Sequence, residues 1–311
     1  MTSSTETVRR ADGAPDLLVR RWPVAGRPWA AMLIVHGIAE HSGRYERTGE
    51  GFAAVGVDVA AIDLRGNGGS GGTRAYVEHW SDYLDDVESQ LGHMRARARD
   101  VPVVLLGHSL GGLVVLDYVT SGRPAPDLLV LSSPALDSTI PAWKKTLARV
   151  LSRIGPTMRI KNELTGDQLS ADPAVGERYF ADPLVVRTTT TRLAAEALGA
   201  QGRVAGSLDK LAIPTLVFHG GADTIVPVAS SEPLAAIAGV RRTVYPDLRH
   251  ETMNEPSGPA VVADVVAWLR ERVGGHAETG VAVGPAPGTD APAAPSIGDP
   301  VASGPARTRS V

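Results

Sequence analysis

The stretch Pro102-Val103-Val104-Leu105-Leu106-Gly107-His108-Ser109-Leu110-Gly111 decides the fold of this 311-residue chain. Its first half is a short apolar run that suits a strand buried on both faces, as central parallel strands are. Its second half matches the pattern G-x-S-x-G, in which a tight turn from strand to helix leaves the serine exposed above the sheet. Ser109 is therefore a candidate nucleophile, and the alternative is an ordinary glycine-rich turn.

Apolar runs rich in β-favouring residues alternate along the chain with segments of helical periodicity. Such alternation implies right-handed crossover connections, and therefore a mostly parallel central sheet with helices on both faces. The sequence thus predicts the α/β fold class, with ligands binding beyond the carboxyl ends of the strands. Strands are predicted at residues 17–22, 31–35, 57–62, 103–106, 128–131, 215–218 and 242–245, and helices at 45–55, 80–98, 110–120, 228–238 and 259–273.

Two regions break this alternation and define the predicted domain organisation. Residues 135–205 are almost wholly helical in pattern and too long for an ordinary connection, which predicts a cap inserted over the strand ends. Residues 275–311 are dominated by Gly, Ala, Pro, Ser and Thr, a composition typical of disorder. We therefore expect one α/β domain over residues 1–274, with an inserted helical cap at about 135–205, followed by a disordered tail.

The composition excludes several classes of function. A net charge of -3 and a pI near 6.2 give no electrostatic basis for binding nucleic acid. The chain contains no cysteine, which rules out disulfides, thiolate metal sites and a cysteine nucleophile. Its histidines and acids lack the clustering of a metal site, so we expect no metal and no cofactor. The first 16 residues lack an apolar core and no apolar run approaches membrane-spanning length, which predicts a cytoplasmic protein.

A serine that attacks an acyl carbon needs a base within hydrogen-bond reach and a carboxylate to orient that base. Among the 8 histidines, His250 follows a strand-like run and a turn, immediately before the last predicted helix. Asp223 follows the predicted strand 215–218 through two glycines, although it could instead only cap a turn. The chain order Ser109, Asp223, His250 is that of the α/β-hydrolases and predicts a catalytic triad. Four other histidines near strand ends are attributed to the backbone geometry of glycine-rich motifs: His36, His41, His108 and His219.

The intermediate of acyl transfer carries an oxyanion, which preorganised backbone N–H groups usually stabilise. Leu110 follows the serine at the start of a helix, where unpaired amides and the helix dipole favour negative charge. His36-Gly37-Ile38 follows the predicted strand 31–35 and would supply a second amide. We predict an oxyanion hole formed by the main-chain N–H groups of Ile38 and Leu110, and expect His36 and Gly37 to contact the substrate.

The segment His36-Gly37-Ile38-Ala39-Glu40-His41-Ser42-Gly43-Arg44-Tyr45 is the most specific motif of the chain. It resembles the H-G-x-x-E-H-S-x-R-Y signature of the monoacylglycerol lipase and lysophospholipase branch of the α/β-hydrolases, which is sometimes grouped with serine aminopeptidases. Similarity extends from about residue 30 to residue 273 and includes Asp63-Leu64-Arg65-Gly66 and Phe218-His219-Gly220-Gly221-Ala222-Asp223. The resemblance implies an α/β-hydrolase fold, Ser109 as nucleophile, His250 as base, Asp223 as its orienting acid, and an oxyanion hole at Ile38 and Leu110.

We interpret the chain as a serine hydrolase that cleaves carboxylic esters of lipids, a monoacylglycerol or a lysophospholipid, through an acyl-enzyme. A second interpretation is a small-molecule carboxylesterase, thioesterase or peptidase that uses the same triad. A third, from a different class, is a hydrolase-like protein that only binds a ligand. The sequence gives no indication of the oligomeric state.

The cap contains one segment that bears on the substrate. Residues 141–155 carry an apolar stripe at helical spacing, flanked by basic residues, which predicts an amphipathic basic helix. The stripe could line an acyl pocket, rest on an anionic lipid surface, or pack the cap onto the core. We expect Trp143, Leu147 and Leu151 to contact the substrate, and the cap to make peripheral contact with membranes.

Overall fold

The most apolar segments of the chain form a central sheet of eight strands. The computed structural model describes residues 2–10, 12–138 and 140–274. The sheet contains β1 (Ser4–Val8), β2 (Leu17–Trp22), β3 (Ala30–Val35), β4 (Val57–Ile62), β5 (Val103–His108), β6 (Leu128–Ser132), β9 (Thr215–Gly220) and β10 (Val240–Tyr245), while β7 (Arg159–Lys161) and β8 (Thr188–Thr190) form a separate pair. The helices are α1 (Glu46–Ala54), α2 (Ser81–Arg97), α3 (Leu110–Thr120), α4 (Ala142–Ile154), α5 (Gly166–Leu169), α6 (Pro173–Ala181), α7 (Thr191–Ala205) and α8 (Gly258–Gly274).

The strand order places the carboxyl ends of β3 and β5 side by side. The order across the sheet is β1-β2-β4-β3-β5-β6-β9-β10, and all pairs from β4 to β10 are parallel, whereas β2 is antiparallel to both of its neighbours. Val35 pairs with Gly107, so the loop after β3 and the turn after β5 leave the sheet next to each other. The predicted α/β class, with a mostly parallel sheet, is confirmed.

Both faces of the sheet are buried, each under its own layer of helices. Along β3, Ala31, Leu33 and Val35 belong to one hydrophobic cluster and Ala30, Met32 and Ile34 to another, which is the two-residue alternation of a strand. The first cluster includes side chains of α2, α3 and α7, and the second includes side chains of α1 and α8. This double burial holds the strand ends, and therefore the loops that follow them, in fixed positions.

The predicted strands of the sheet are observed, and the differences have physical causes. The pattern gave no strand at Ser4–Val8, because four of its five residues are exposed and lack apolar alternation. Residues 228–236, predicted as part of a helix, form a 3₁₀ helix instead. Pro233 lies inside it, and a proline has no backbone N–H to donate within a regular α-helix.

Between β6 and β9 the chain forms α4 to α7 together with the β7–β8 pair, so this region is less uniformly helical than predicted. The last of these helices, α7, places Leu193, Ala200 and Val204 in the core and packs against α3. Residues 275–311, predicted to be disordered, lie outside the described residues. In the part of the chain that the structure describes, no helix combines the length and apolar character needed to cross a bilayer.

Candidate active site

Ser109 lies in the sharp turn between β5 and α3. Its backbone has φ 52° and ψ −117°, a conformation that side-chain-bearing residues seldom adopt and that costs strain energy. No side chain fits at either flanking glycine. A Cβ atom at Gly107 would lie 2.5 Å from the oxygen of Gly111, and one at Gly111 would collide with the oxygen of Val35. The tight turn expected of the G-x-S-x-G pattern is therefore present, but Ser109 is buried rather than exposed as expected, with 4% of its surface accessible.

Asp223 and His250 form a buried hydrogen-bonded pair. His250 Nδ1 lies 2.7 Å from Asp223 Oδ2, and the other carboxylate oxygen accepts the N–H groups of Ile225 at 2.8 Å and Val226 at 2.9 Å. Burial opposes ionisation of Asp223, but hydrogen bonds from His219 and His250 outweigh it and hold its pKa well below the ordinary value. An ionised Asp223 orients His250 with its proton on Nδ1, which leaves Nε2 free to act as a base.

The loop carrying His250 packs against the turn that carries the serine. The ring centres of His250 and His108, the residue before Ser109, are 4.8 Å apart, and both rings are buried. In the part of the chain that the structure describes, no hydrogen bond joins Ser109 Oγ to His250. Catalytic hydrogen bonds of this kind often tighten only when substrate binds. The structure thus joins Asp223 to His250 and brings this pair beside Ser109, and the catalytic roles of the three residues stay a prediction.

The loop His36-Gly37-Ile38, hereafter the oxyanion loop, passes directly beside the serine. A Cβ atom at Gly37 would lie 3.0 Å from Ser109 Cβ. Within residues 2–10, 12–138 and 140–274, the backbone N–H groups of Ile38 and Leu110 donate no hydrogen bond, whereas that of Gly37 is bound to Glu40 Oε1 at 2.5 Å. Two unused amides next to a strained serine suit the predicted oxyanion hole.

His36 is engaged within the protein rather than facing a substrate. Its Nε2 accepts the N–H of Leu64 at 2.9 Å, so Nδ1 carries the proton and donates to the oxygen of Gly37 at 2.7 Å. Burial is the largest cause of a lowered pKa at His36. With both ring nitrogens occupied, its side chain has no polar atom left for the substrate contact expected from the sequence, and it instead fixes the start of the oxyanion loop.

His219 is a residue of the site to which the sequence gave no role. Its Nε2 lies 3.2 Å from Asp223 Oδ2 and 3.3 Å from the oxygen of Val226, and both are acceptors, so Nε2 must carry a proton. His219 is fully buried, and its Nδ1 lies 3.2 Å from Ser231 Oγ. The spacing of four residues between His219 and Asp223 is a signal in the sequence, but the surrounding glycine-rich motif points to backbone geometry instead.

The apolar stripe of α4 faces outward. Trp143 is 63% exposed and Leu147 is 45% exposed, while Leu151 is half-buried. Ser152, on the opposite side of α4, is the one buried residue of the helix. The stripe therefore does not pack the cap onto the core, and Trp143 and Leu147 lie on the surface of the molecule rather than inside a closed acyl pocket.

Comparisons with known proteins agree with this geometry. A family model described as serine aminopeptidase, S33, matches residues 26–257. The monoacylglycerol lipase of Mycolicibacterium smegmatis is 35% identical over 255 residues, which cover 80% of this chain and 90% of that protein. Phospholipase YtpA of Bacillus subtilis is 31% identical over 239 residues, which cover 75% of this chain and 92% of that protein. The crystal structure of the Paleococcus ferrophilus monoacylglycerol lipase has a TM-score of 0.73 and 29% identity, and the match covers 82% of this chain and 98% of that one.

The family match spans the oxyanion loop, the serine turn and the Asp223–His250 pair. The parallel sheet with an insertion before β9 is the α/β-hydrolase fold implied by the sequence resemblance. The chain therefore belongs to the serine aminopeptidase S33 family of α/β-hydrolases, in the branch that contains the monoacylglycerol lipases, and it is a serine ester hydrolase.

Proposed function

We propose that the protein hydrolyses a lipid monoester, a monoacylglycerol or a lysophospholipid, through an acyl-enzyme formed on Ser109. The observation that carries this proposal is the buried, hydrogen-bonded Asp223–His250 pair packed against the strained turn of Ser109. Two amides without partners, at Ile38 and Leu110, lie where the charge of the reaction would develop. A ligand-binding protein would gain nothing from keeping this combination intact.

The chemistry follows from the atoms in place. Ser109 Oγ attacks the ester carbon as His250 Nε2 takes the hydroxyl proton, and the ionised Asp223 stabilises the resulting imidazolium. The oxyanion accepts hydrogen bonds from Ile38 and Leu110, each worth about 3 kcal/mol of barrier. His250 then protonates the leaving alcohol, and a water activated by the same nitrogen releases the fatty acid.

Two independent features support a lipid substrate. Relatives that match most of the chain are named monoacylglycerol lipase and phospholipase. In addition, α4 presents Trp143, Leu147, Val150 and Ile154 to solvent, which is unusual for side chains of this size unless they meet an apolar partner.

The charges beside this stripe match a membrane surface. Lys144, Arg149 and Arg153 are exposed along the two borders of the stripe on α4. Each basic residue near an anionic bilayer contributes about 1 kcal/mol, while the apolar side chains enter the interface. Peripheral membrane contact through α4 would bring the strand ends toward esters held in the bilayer.

Labelling with a fluorophosphonate probe tests the catalytic part of the proposal. We expect the wild type to be labelled and to hydrolyse monoacylglycerols, and Ser109→Ala to lose both properties while keeping its folded circular dichroism spectrum. A panel of monoacylglycerols, lysophospholipids, thioesters and peptide amides of increasing acyl length then identifies the substrate. Equal labelling of the Ser109→Ala variant, or a strict preference for acetyl esters or amides, would contradict the proposal.

Vesicle binding tests the membrane part with two matched variants. Leu147→Glu places a charge in the apolar stripe, whereas Thr146→Glu adds the same charge to the neighbouring exposed position of α4. We expect Leu147→Glu to weaken binding to anionic vesicles several-fold more than Thr146→Glu does, with turnover of a dissolved short-chain ester unchanged in both. Equal weakening would attribute the effect to charge alone and remove the role of the stripe.

A further inference from the structure

We infer that Arg44 is a positioning residue, which holds the oxyanion loop, the segment carrying His250 and the cap at one fixed spacing. The inference rests on the proposed function, because it concerns the same site. Arg44 touches neither the serine nor the triad. It acts through Glu251, the residue that follows His250, and through Glu40, which binds the backbone of the oxyanion loop, and its own contacts reach three separate parts of the chain.

The first contact is with the segment of the catalytic base. Arg44 Nη2 lies 2.7 Å from Oε2 of Glu251, the residue that follows His250. The same oxygen accepts a hydrogen bond from Asn254 Nδ2 at 2.9 Å, and the N–H of Glu251 donates to the oxygen of Leu169 at 2.8 Å. Three interactions thus hold Glu251 in place, and the one with Arg44 is the ion pair.

The second contact reaches the oxyanion loop through Glu40. Arg44 Nη1 lies 3.9 Å from Glu40 Oε2, and Glu40 Oε1 accepts the N–H of Gly37 at 2.5 Å and the hydroxyl of Tyr45 at 2.8 Å. Gly37 immediately precedes Ile38, so the position of Glu40 determines where the amide of Ile38 points. Glu40 also occupies the amide of Gly37, which would otherwise compete for the oxyanion.

The third contact is with the cap. The Arg44 guanidinium lies over the ring of Tyr179 in α6, with its central carbon 4.7 Å from the ring centre. A planar guanidinium can stack on an aromatic ring and bind a carboxylate at the same time, which a lysine ammonium cannot do with the same geometry. A single cation therefore joins α6, the oxyanion loop and the base segment.

The electrostatic balance explains why this position holds an arginine. Glu40 and Glu251 are both buried and share one cation, and a buried carboxylate without a partner is strongly destabilising. Burial opposes ionisation of Glu40, but the charge of Arg44 and the hydrogen bond from the N–H of Gly37 hold its pKa below the ordinary value. Burial raises the pKa of Glu251 in spite of Arg44. Loss of the cation therefore affects stability as well as catalysis, and the test must separate the two.

Three variants separate positioning from stability. Arg44→Lys keeps the charge but loses the planar fork, Arg44→Met removes the charge, and Arg44→Met/Glu251→Gln also removes one of the carboxylates left without a partner. We expect Arg44→Lys to lower kcat on a dissolved short-chain ester about 10-fold or more, because small displacements of reacting groups are costly, with KM changed less than roughly 3-fold. The rate of fluorophosphonate labelling should fall in parallel.

The double variant gives the decisive comparison. We expect it to recover the melting temperature lost in Arg44→Met but not the kcat, since the tether stays broken. Glu251→Gln alone completes the cycle, and Arg47→Met serves as the matched control. Arg47 lies on the next turn and donates to the backbone oxygens of Glu255 and Pro256 at 3.1 and 3.3 Å, so it should leave kcat unchanged.

Two results would overturn the inference. One is wild-type kcat in Arg44→Lys, and the other is a kcat in the double variant that recovers together with its melting temperature, since either would make Arg44 a purely stabilising residue. Failure of the proposed function looks different. In that case the wild type itself hydrolyses none of the esters, or Ser109→Ala remains active, whatever the Arg44 variants do.

Discussion

At the scale of single residues, His108 is a buried imidazole that cannot become charged in the folded protein near neutral pH. Burial, reinforced by the neighbouring imidazole of His250, lowers the pKa of His108 to about 3. Its Nδ1 lies 3.0 Å from Ser132 Oγ. His108 is therefore a neutral neighbour of Ser109, and it leaves the role of base to His250.

This pKa predicts how stability depends on pH. Below the ordinary value of 6.5 the unfolded chain binds a proton at His108, whereas the folded chain does so only near 3, so stability falls as the pH drops below 6.5. Between pH 8 and pH 5 the histidine should account for a loss of about 2 kcal/mol in the free energy of unfolding. Urea denaturation of His108→Gln should show a shallower decline with pH than the wild type. The exposed-residue control His79→Gln should follow the wild type, and parallel curves for all three proteins would refute the prediction.

Sequence reasoning predicts roles for residues whose signal is local and misses roles that depend on partners distant in the chain. Ser109, Asp223 and His250 are predicted as a triad because each follows a strand and their order is informative. Arg44 and His219 were given no role, since their importance depends on contacts with Glu251 and with Asp223 and Ser231 that only folding creates. A motif indicates that a residue belongs to a site, but it does not say which neighbour that residue will hold.

At the scale of elements, α2 contains an exposed glycine, Gly92, and a glycine in the middle of a helix lowers its stability. Gly92 lies on the exposed side of α2, and a Cβ atom added there would meet nothing within 4 Å. Gly92→Ala should therefore stabilise the protein by about 0.5–1 kcal/mol through reduced backbone entropy of the unfolded chain. Thermal unfolding should show a melting temperature higher by roughly 1–3 °C, with unchanged kcat. A lower melting temperature would mean that α2 needs the glycine for a reason its surroundings do not show.

Elements were predictable in proportion to how much apolar surface they bury. The strand Val57–Ile62 is buried along its whole length and was predicted with the same bounds. The sequence pattern does not predict the pair formed by Arg159–Lys161 and Thr188–Thr190, because five of its six residues are polar and one strand is fully exposed. Such a pair is held by backbone hydrogen bonds, which leave no pattern in the side chains.

At the scale of the whole molecule, the two hydrophobic clusters share one sheet, so they should unfold together. Phe52 of α1 is fully buried in the second cluster, whereas Phe180 of the cap is 40% exposed. Phe52→Ala should lower the free energy of unfolding by about 3–5 kcal/mol in a single transition seen equally by tryptophan fluorescence and circular dichroism. Phe180→Ala removes the same atoms and should cost less than about 1 kcal/mol. Two separate transitions, or equal losses for both variants, would contradict a single cooperative unit.

The short, polar first strand of the sheet has a practical implication. β1 covers the backbone of β2, whose Leu17, Val19 and Trp22 are fully buried, and it presents mostly exposed Ser, Thr and Glu side chains at that border. An uncovered strand offers its unpaired N–H and C=O groups to other molecules. Removing the first eight residues, or displacing them with a purification tag, would therefore favour aggregation through β2. This would happen even though every active-site residue is unchanged. Handling of the enzyme is best planned with the tag at the other end.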